Sequence, residues 1–142
     1  MRNLDLSGGA ELITEADCWS LLATVDYGRL VVDGNGRPDV FPVNFELVGS
    51  AIVVQTNMGH KLLAALRGPV AFEADQVDQA ARTGWSVVVH GHARDATDEP
   101  SRDAERTPWT GAKQFRIRIE PESITGRRIR LPADASGQGR TS

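Results

Sequence analysis

Gln55 and Thr56 end an apolar run, Asn57-Met58-Gly59 turns the chain, and Lys61 follows two residues later. These residue types at this spacing can hold a phosphate. A hydroxyl at a strand end, free backbone N–H groups at a helix start and an ammonium beside them can face one anion. The helix dipole adds to the attraction. The alternative is a plain strand–turn–helix with an exposed lysine, because the segment lacks the glycine density of a P-loop. Lysine is scarce here, with Lys61 and Lys113 against fourteen arginines, which makes the placing of Lys61 notable.

The segment before it is Arg29 to Asn44, RLVVDGNGRPDVFPVN. Gly34-Asn35-Gly36 is a hairpin turn between two strand-like runs. Pro42 interrupts the second run, where a central strand would lose a ladder donor. Val43 and Asn44 then offer backbone and amide groups where the sheet is broken, and a planar, hydrogen-bonding ring can dock there. An edge strand or a bulge would equally explain Pro42.

His90 and His92 are two apart on a strand and share a face. With His60 they would make an incomplete metal set, since no carboxylate or cysteine falls at a companion spacing. Half-buried hydrogen-bonding histidines at a rim or interface are the simpler expectation. The indole of Trp85 can either face a flat aromatic ring or fill the core at a strand start. Trp109 follows Pro108 in a loop, where a large aromatic anchors an interface, and Trp19 packs a helix. Arg127, Arg128 and Arg130 form a basic cluster, either a solvated strand edge or a reach toward an anion. No Ser-His-Asp or paired-carboxylate constellation is visible, so no catalytic acid or base is named.

Taken in order, GRL at Gly28–Leu30, the hairpin, PVNF at Pro42–Phe45, QTNMGHK at Gln55–Lys61, VAFEAD at Val70–Asp75 and WSVVVHGHA at Trp85–Ala93 form a pattern. It resembles the pyridoxamine 5'-phosphate oxidase-like family of flavin-binding split barrels over roughly residues 12 to 130. The resemblance implies an FMN-dependent oxidoreductase that dimerises, with the flavin in the dimer interface. It places the strand Val40, Phe41, Pro42, Val43, Asn44, Phe45 along the isoalloxazine ring. Gln55 and Thr56 then lie by the ribityl chain and phosphate, His60 and Lys61 close the phosphate site, and Ser86 reaches the flavin from a later strand, with Trp85 beside it. Related actinobacterial proteins use the deazaflavin F420 in the same cleft, which makes an F420-dependent reductase the alternative. A flavin- or haem-binding module without turnover is a further one.

This chain also departs from the pattern. Pyridoxamine phosphate oxidases have an arginine at the position of Val40 and a substrate-phosphate lysine at that of Phe45. Their Arg/His-containing carboxy-terminal segment is replaced here by LPADASGQGRTS after Arg130. Without those cations a substrate phosphate has no obvious seat, and pyridoxamine phosphate is not the expected substrate.

The elements that must position these residues follow from pattern. A loose arm is expected over residues 1–11. Thr14 and Asp17 suggest a capping box with Ile13 and Cys18 as its staple, opening a helix to about Thr24 that buries Cys18, Leu21 and Leu22. Strands are expected near 28–33, 38–47, 51–56, 70–76 and 85–96, with a helix from Gly59 to Arg67 stopped by Gly68-Pro69. A short helix from Asp98 through Glu105 precedes a period-two strand over Lys113–Glu120, and a last short strand includes Ile124 and Ile129. The fold class is mainly β: a split β-barrel of six or so antiparallel, Greek-key strands with a few short flanking helices. One domain spans residues 1–131, and residues 132–142 form a polar, disordered tail.

Length and composition set the outer limits. With 142 residues the chain supports one core. Its net charge of −3 argues against bulk nucleic-acid binding. No apolar run approaches the roughly 18 residues of a membrane span, and no signal peptide opens the chain. The single cysteine, Cys18, excludes an internal disulfide and fits a reducing cytoplasm.

Overall fold

A computed structural model describes residues 10–34, 36–57, 66, 68–97, 99 and 115–132. In chain order these form β1 (Ala10–Leu12), α1 (Glu15–Leu22), β2 (Tyr27–Gly34), β3 (Arg37–Val48), β4 (Ala51–Thr56), β5 (Pro69–Asp78), β6 (Thr83–Asp95) and β7 (Phe115–Arg130). All pairings are antiparallel. Six strands close a ring in the order β7–β4–β3–β2–β5–β6, with β6 returning to β7, and β1 adds to β7 outside the ring. The hairpin-linked strands β2, β3 and β4 are followed by β5, which returns beside β2. That is the Greek-key order, as expected from sequence.

Alternation fills the barrel. Leu30 and Val32 of β2, Val43 and Phe45 of β3, Phe72 and Ala74 of β5, Val87 and Val89 of β6, and Ile117 and Ile119 of β7 are all buried in one cluster. Phe45 and Phe72 meet edge to face, with ring centroids 4.8 Å apart, a favoured aromatic geometry. Helix α1 begins as the capping pattern predicts, with the Asp17 N–H donating to Thr14 Oγ1 at 3.1 Å. It seats on β7 at Gly126, where an added Cβ would lie 2.7 Å from Cys18 Sγ and 2.9 Å from Ile13 Cδ1. Burial pushes the Cys18 thiol up, with Asp17 and Glu15 adding to it, so the sulfur is a packing group and not a nucleophile.

Three expectations need correction. Residues 10 and 11, expected in a loose arm, instead form β1 with Leu12, the three pairing with Ile129, Arg128 and Arg127. The two strands expected at the carboxy-terminal end are one continuous strand, β7. It is held together because β6 pairs with it from Arg130 to Ile117, and a register shift at His90/Gly91 takes up Glu122 as the extra residue and keeps Pro121 paired with Gly91. His90 and His92 are exposed, not half-buried. His92 Nδ1 lies 2.6 Å from Glu122 Oε2. The expected helices over residues 59–67 and 98–105 and the loop with Trp109 lie outside the described residues, apart from Leu66 and Glu99, as does the tail beyond Pro132.

Candidate functional site

Strand β3 carries the largest part of the predicted set, and its alternation divides that set. Phe41, Val43 and Phe45 face the barrel interior, with Phe45 only 6% exposed. Val40, Pro42 and Asn44 are exposed on the outer face, Val40 to 58%. Backbone groups alternate in the same way, but between the two strand edges. The Phe45 N–H donates to Asp26 O at 3.1 Å, so residues of its parity turn toward β2. Val40, Pro42 and Asn44 therefore turn their backbone groups to the opposite edge.

That edge is only half covered. Strand β4 pairs with β3 from Asn44, opposite Gln55, to Val48, opposite Ala51. Over residues 38–43 no strand among the described residues pairs with this side. Among the described residues, the N–H and C=O of Val40 and the C=O of Pro42 therefore line an open edge that begins where β4 ends. The missing N–H of Pro42 costs the β2–β3 ladder nothing, because it points away from β2. Pro42 marks an edge, and the β2–β3 register runs past it without a bulge.

Beside this edge, Asn44 stands between Tyr27 of β2 and Gln55 of β4, and Gln55 in turn opposes Arg116 of β7. The row Tyr27–Asn44–Gln55–Arg116 places two amides, a phenol and a guanidinium side by side on the outer face. Thr56 ends β4 on the opposite parity and is 8% exposed. His60 and Lys61 lie outside the described residues.

Trp85 and Ser86 are not brought to this edge. Trp85 faces inward in the core cluster, and Ser86 is half-buried between Asp75 of β5 and Arg127 of β7. Strands β2 and β5 separate them from β3, about 14 Å at the usual strand spacing. An open hollow of about 500 Å³ at the β5–β6 hairpin is lined by Gln76–Gln79 and Thr83–Trp85, and no β3 residue borders it. Two candidate regions thus lie on different sides of one barrel.

Sequence comparison identifies the relationship. The family profile described as pyridoxamine 5'-phosphate oxidase matches residues 14–128. The chain belongs to the pyridoxamine 5'-phosphate oxidase-like family. It is 39% identical over 126 residues to the uncharacterized protein Rv0080 of Mycobacterium tuberculosis, covering 81% of each. Among solved structures, the FAD binding protein from Mycobacterium smegmatis is 32% identical, with a TM-score of 0.66 over 86% of this chain and 100% of that one. A conserved protein of unknown function from Corynebacterium diphtheriae is 30% identical, with a TM-score of 0.65 over 83% and 96%.

In this oxidase-like chain the structure also assembles a charged cluster that sequence reasoning did not single out. Arg29 Nε lies 2.8 Å from Glu73 Oε1, and its Nη2 lies 2.7 Å from Asp75 Oδ2. The guanidinium also sits 5.7 Å from the centre of the Tyr27 ring, within cation–π range. Partial burial works against the charge of Arg29, and the two carboxyl partners more than offset it, raising its pKa. Burial and then Asp75 push Glu73 up to about 7, against the pull of Arg29. The hydrogen bond from Glu73, followed by that from Arg29, holds Asp75 below its usual range. Of the two carboxyls, Glu73 thus holds a proton more readily than Asp75. The sequence signal was the i, i+2 spacing of Glu73 and Asp75. It acquires meaning only once the register sets Arg29 opposite Glu73. Among the described residues, no three His, Cys, Asp or Glu groups come together as a metal site.

Proposed function

We propose that this chain binds a flavin nucleotide along β3 and works as a flavin-dependent oxidoreductase, with FMN as the smallest sufficient cofactor. The observation that carries this reading is the open β3 edge. The N–H and C=O of Val40 and the C=O of Pro42 supply one donor and two acceptors in a line, which suits the pyrimidine edge of an isoalloxazine ring. Asn44 and Gln55 stand beside that edge, where they can orient a ribityl chain. Thr56, His60 and Lys61 follow in the chain as phosphate ligands. The 32% identical relative described as FAD-binding supports a flavin on this scaffold. FAD contains the same ring, ribityl chain and first phosphate, so the same residues serve it.

The bound flavin would supply the electron transfer. The protein's part is to hold the ring edge, fix its orientation and exclude water. Trp85 and Ser86 join the set when a second copy presents its β6 to the first copy's β3, which is the motive for a homodimer with the cofactor between protomers. The exposed Val40 and Tyr27, 58% and 55% accessible, are apolar groups such a contact would cover. No helix among the described residues is long and apolar enough to cross a membrane. The buried free thiol of Cys18 suits a reducing cytoplasm.

The test is spectroscopic. Purified protein is scanned from 300 to 500 nm in wavelength (roughly the range that separates bound cofactors by their absorption), then stripped and titrated with FMN, FAD and F420. Saturable flavin binding is expected. Saturable binding of F420 alone would replace the cofactor on the same edge, and binding of none of the three would overturn the proposal.

A further inference from the structure

Resting on the flavin reading above, we propose that the Arg29–Glu73–Asp75 cluster tunes the charge beside the ring held by β3: with one proton on the carboxyl pair the cluster is neutral, and without it the cluster carries one negative charge. The placement is the first ground. Arg29 is the register partner of Pro42 on one side and of Glu73 on the other. The three side chains share the outer face with Val40, Pro42 and Asn44. A ring on the far edge of β3 lies about three strand spacings, roughly 14 Å, from Glu73 on β5, where the charge changes. A charge at that range acts on a flavin at low ionic strength, where screening extends to about 30 Å.

The second ground is the state of the cluster. Two carboxyl groups face one guanidinium, and Arg29 donates a hydrogen bond to each. Glu73 is pushed up to about 7 by burial and Asp75, so the proton is held below neutral pH and lost above it. Around the cluster this face carries Tyr27 on β2, Ser86, Val88 and His90 on β6, and Thr125 and Arg127 on β7, among others. On β3 it carries Val40, Pro42 and Asn44. Asp33 on β2, His90 on β6, and Arg116 and Arg127 on β7 also lie on this face, and all are unchanged in the variants below, so a difference between proteins isolates the cluster.

Reduced flavin is anionic near neutral pH, so an extra negative charge nearby makes reduction harder. The experiment measures the two-electron midpoint potential of flavin-loaded wild type and Glu73→Gln by dithionite titration at low salt, from about pH 5.5 to 8.5. The potentials are expected to coincide at pH 6. At pH 8.5 the wild type is expected to favour reduced flavin about tenfold less than the variant, about 30 mV lower for a two-electron couple. Asp75→Asn leaves an Arg29–Glu73 pair that is neutral throughout, and it predicts the same divergence if Glu73→Gln fails to fold. Coincident curves in a variant that binds flavin would overturn the tuning role and leave the flavin reading intact. A wild-type protein that binds no flavin overturns both.

Discussion

At the scale of single residues, two positions separate binding the cofactor from binding a phosphorylated substrate. Lys61 is the ammonium that follows the strand end carrying Gln55 and Thr56. If Lys61 holds the phosphate as proposed, Lys61→Ala removes a charge-assisted contact worth about 1.5–3 kcal/mol, so FMN affinity is expected to fall about ten- to a hundredfold. Fluorescence titration measures this, and an unchanged affinity with the fold intact would place the phosphate elsewhere. Phe45 has the opposite significance. By the resemblance it stands where pyridoxamine phosphate oxidases carry a lysine, and here it lies inside the barrel against Phe72. A cation at that place would be buried away from water, at high cost. Val40, at the position of their arginine, is exposed and apolar. Pyridoxamine phosphate oxidation by the FMN-loaded protein is therefore expected to be negligible. Pyridoxal phosphate formed at about one turnover per second, within the ordinary enzyme range, would show that other cations seat the substrate.

At the scale of elements, Gly28 governs how closely β2 approaches β5. An added Cβ there would sit 2.5 Å from Glu73 O and 2.8 Å from Phe72 Cζ. Gly28→Ala must push the strands apart next to the Arg29–Glu73 contact. A destabilisation of about 1–3 kcal/mol is expected from such overpacking, read as a lower denaturant midpoint; an unchanged midpoint would show that β5 yields freely. GRL was legible in the sequence as part of a pattern, but its steric reason was not, since the contact lies between residues 28 and 73. The same divide runs through the fold. A strand with clean alternation, such as β5, was legible because period two is a local signal. The hairpin at residues 34–36 was legible from its turn residues. The single β7 was not, because Pro121 looks like a strand end unless β6 is known to pair across it with a shifted register. Strand β1 was hidden for the same reason: three residues have no periodicity to read, and only the edge of β7 makes them a strand. In the candidate site, Pro42 and Asn44 announced an interruption. The open edge itself depends on where β4 stops pairing, which no local pattern records.

At the scale of the whole molecule, the separation of β3 from Trp85 and Ser86 carries a prediction about assembly. If one flavin needs both regions, two chains must supply them, and the protein should run as a dimer burying more than about 1,000 Å². Light scattering at micromolar concentration is expected to give twice the 15.4 kDa of one chain. A monomer that binds FMN tightly would mean that β3 and β4 suffice alone. The closure of the ring has a consequence of another kind, for the order in which the molecule can be made. Strand β7 is the last in sequence, yet it is the neighbour of both β4 and β6. A ribosome releases β2 to β6 first, and these five can pair only as an open, curved sheet. Until β7 emerges, that sheet shows unpaired N–H and C=O groups at both margins, and β4 is apolar from Ala51 to Val54. Such margins invite pairing with other chains. The nascent protein is thus most exposed to aggregation in the interval before its final strand arrives, and a chaperone that shields β4 would be most useful then.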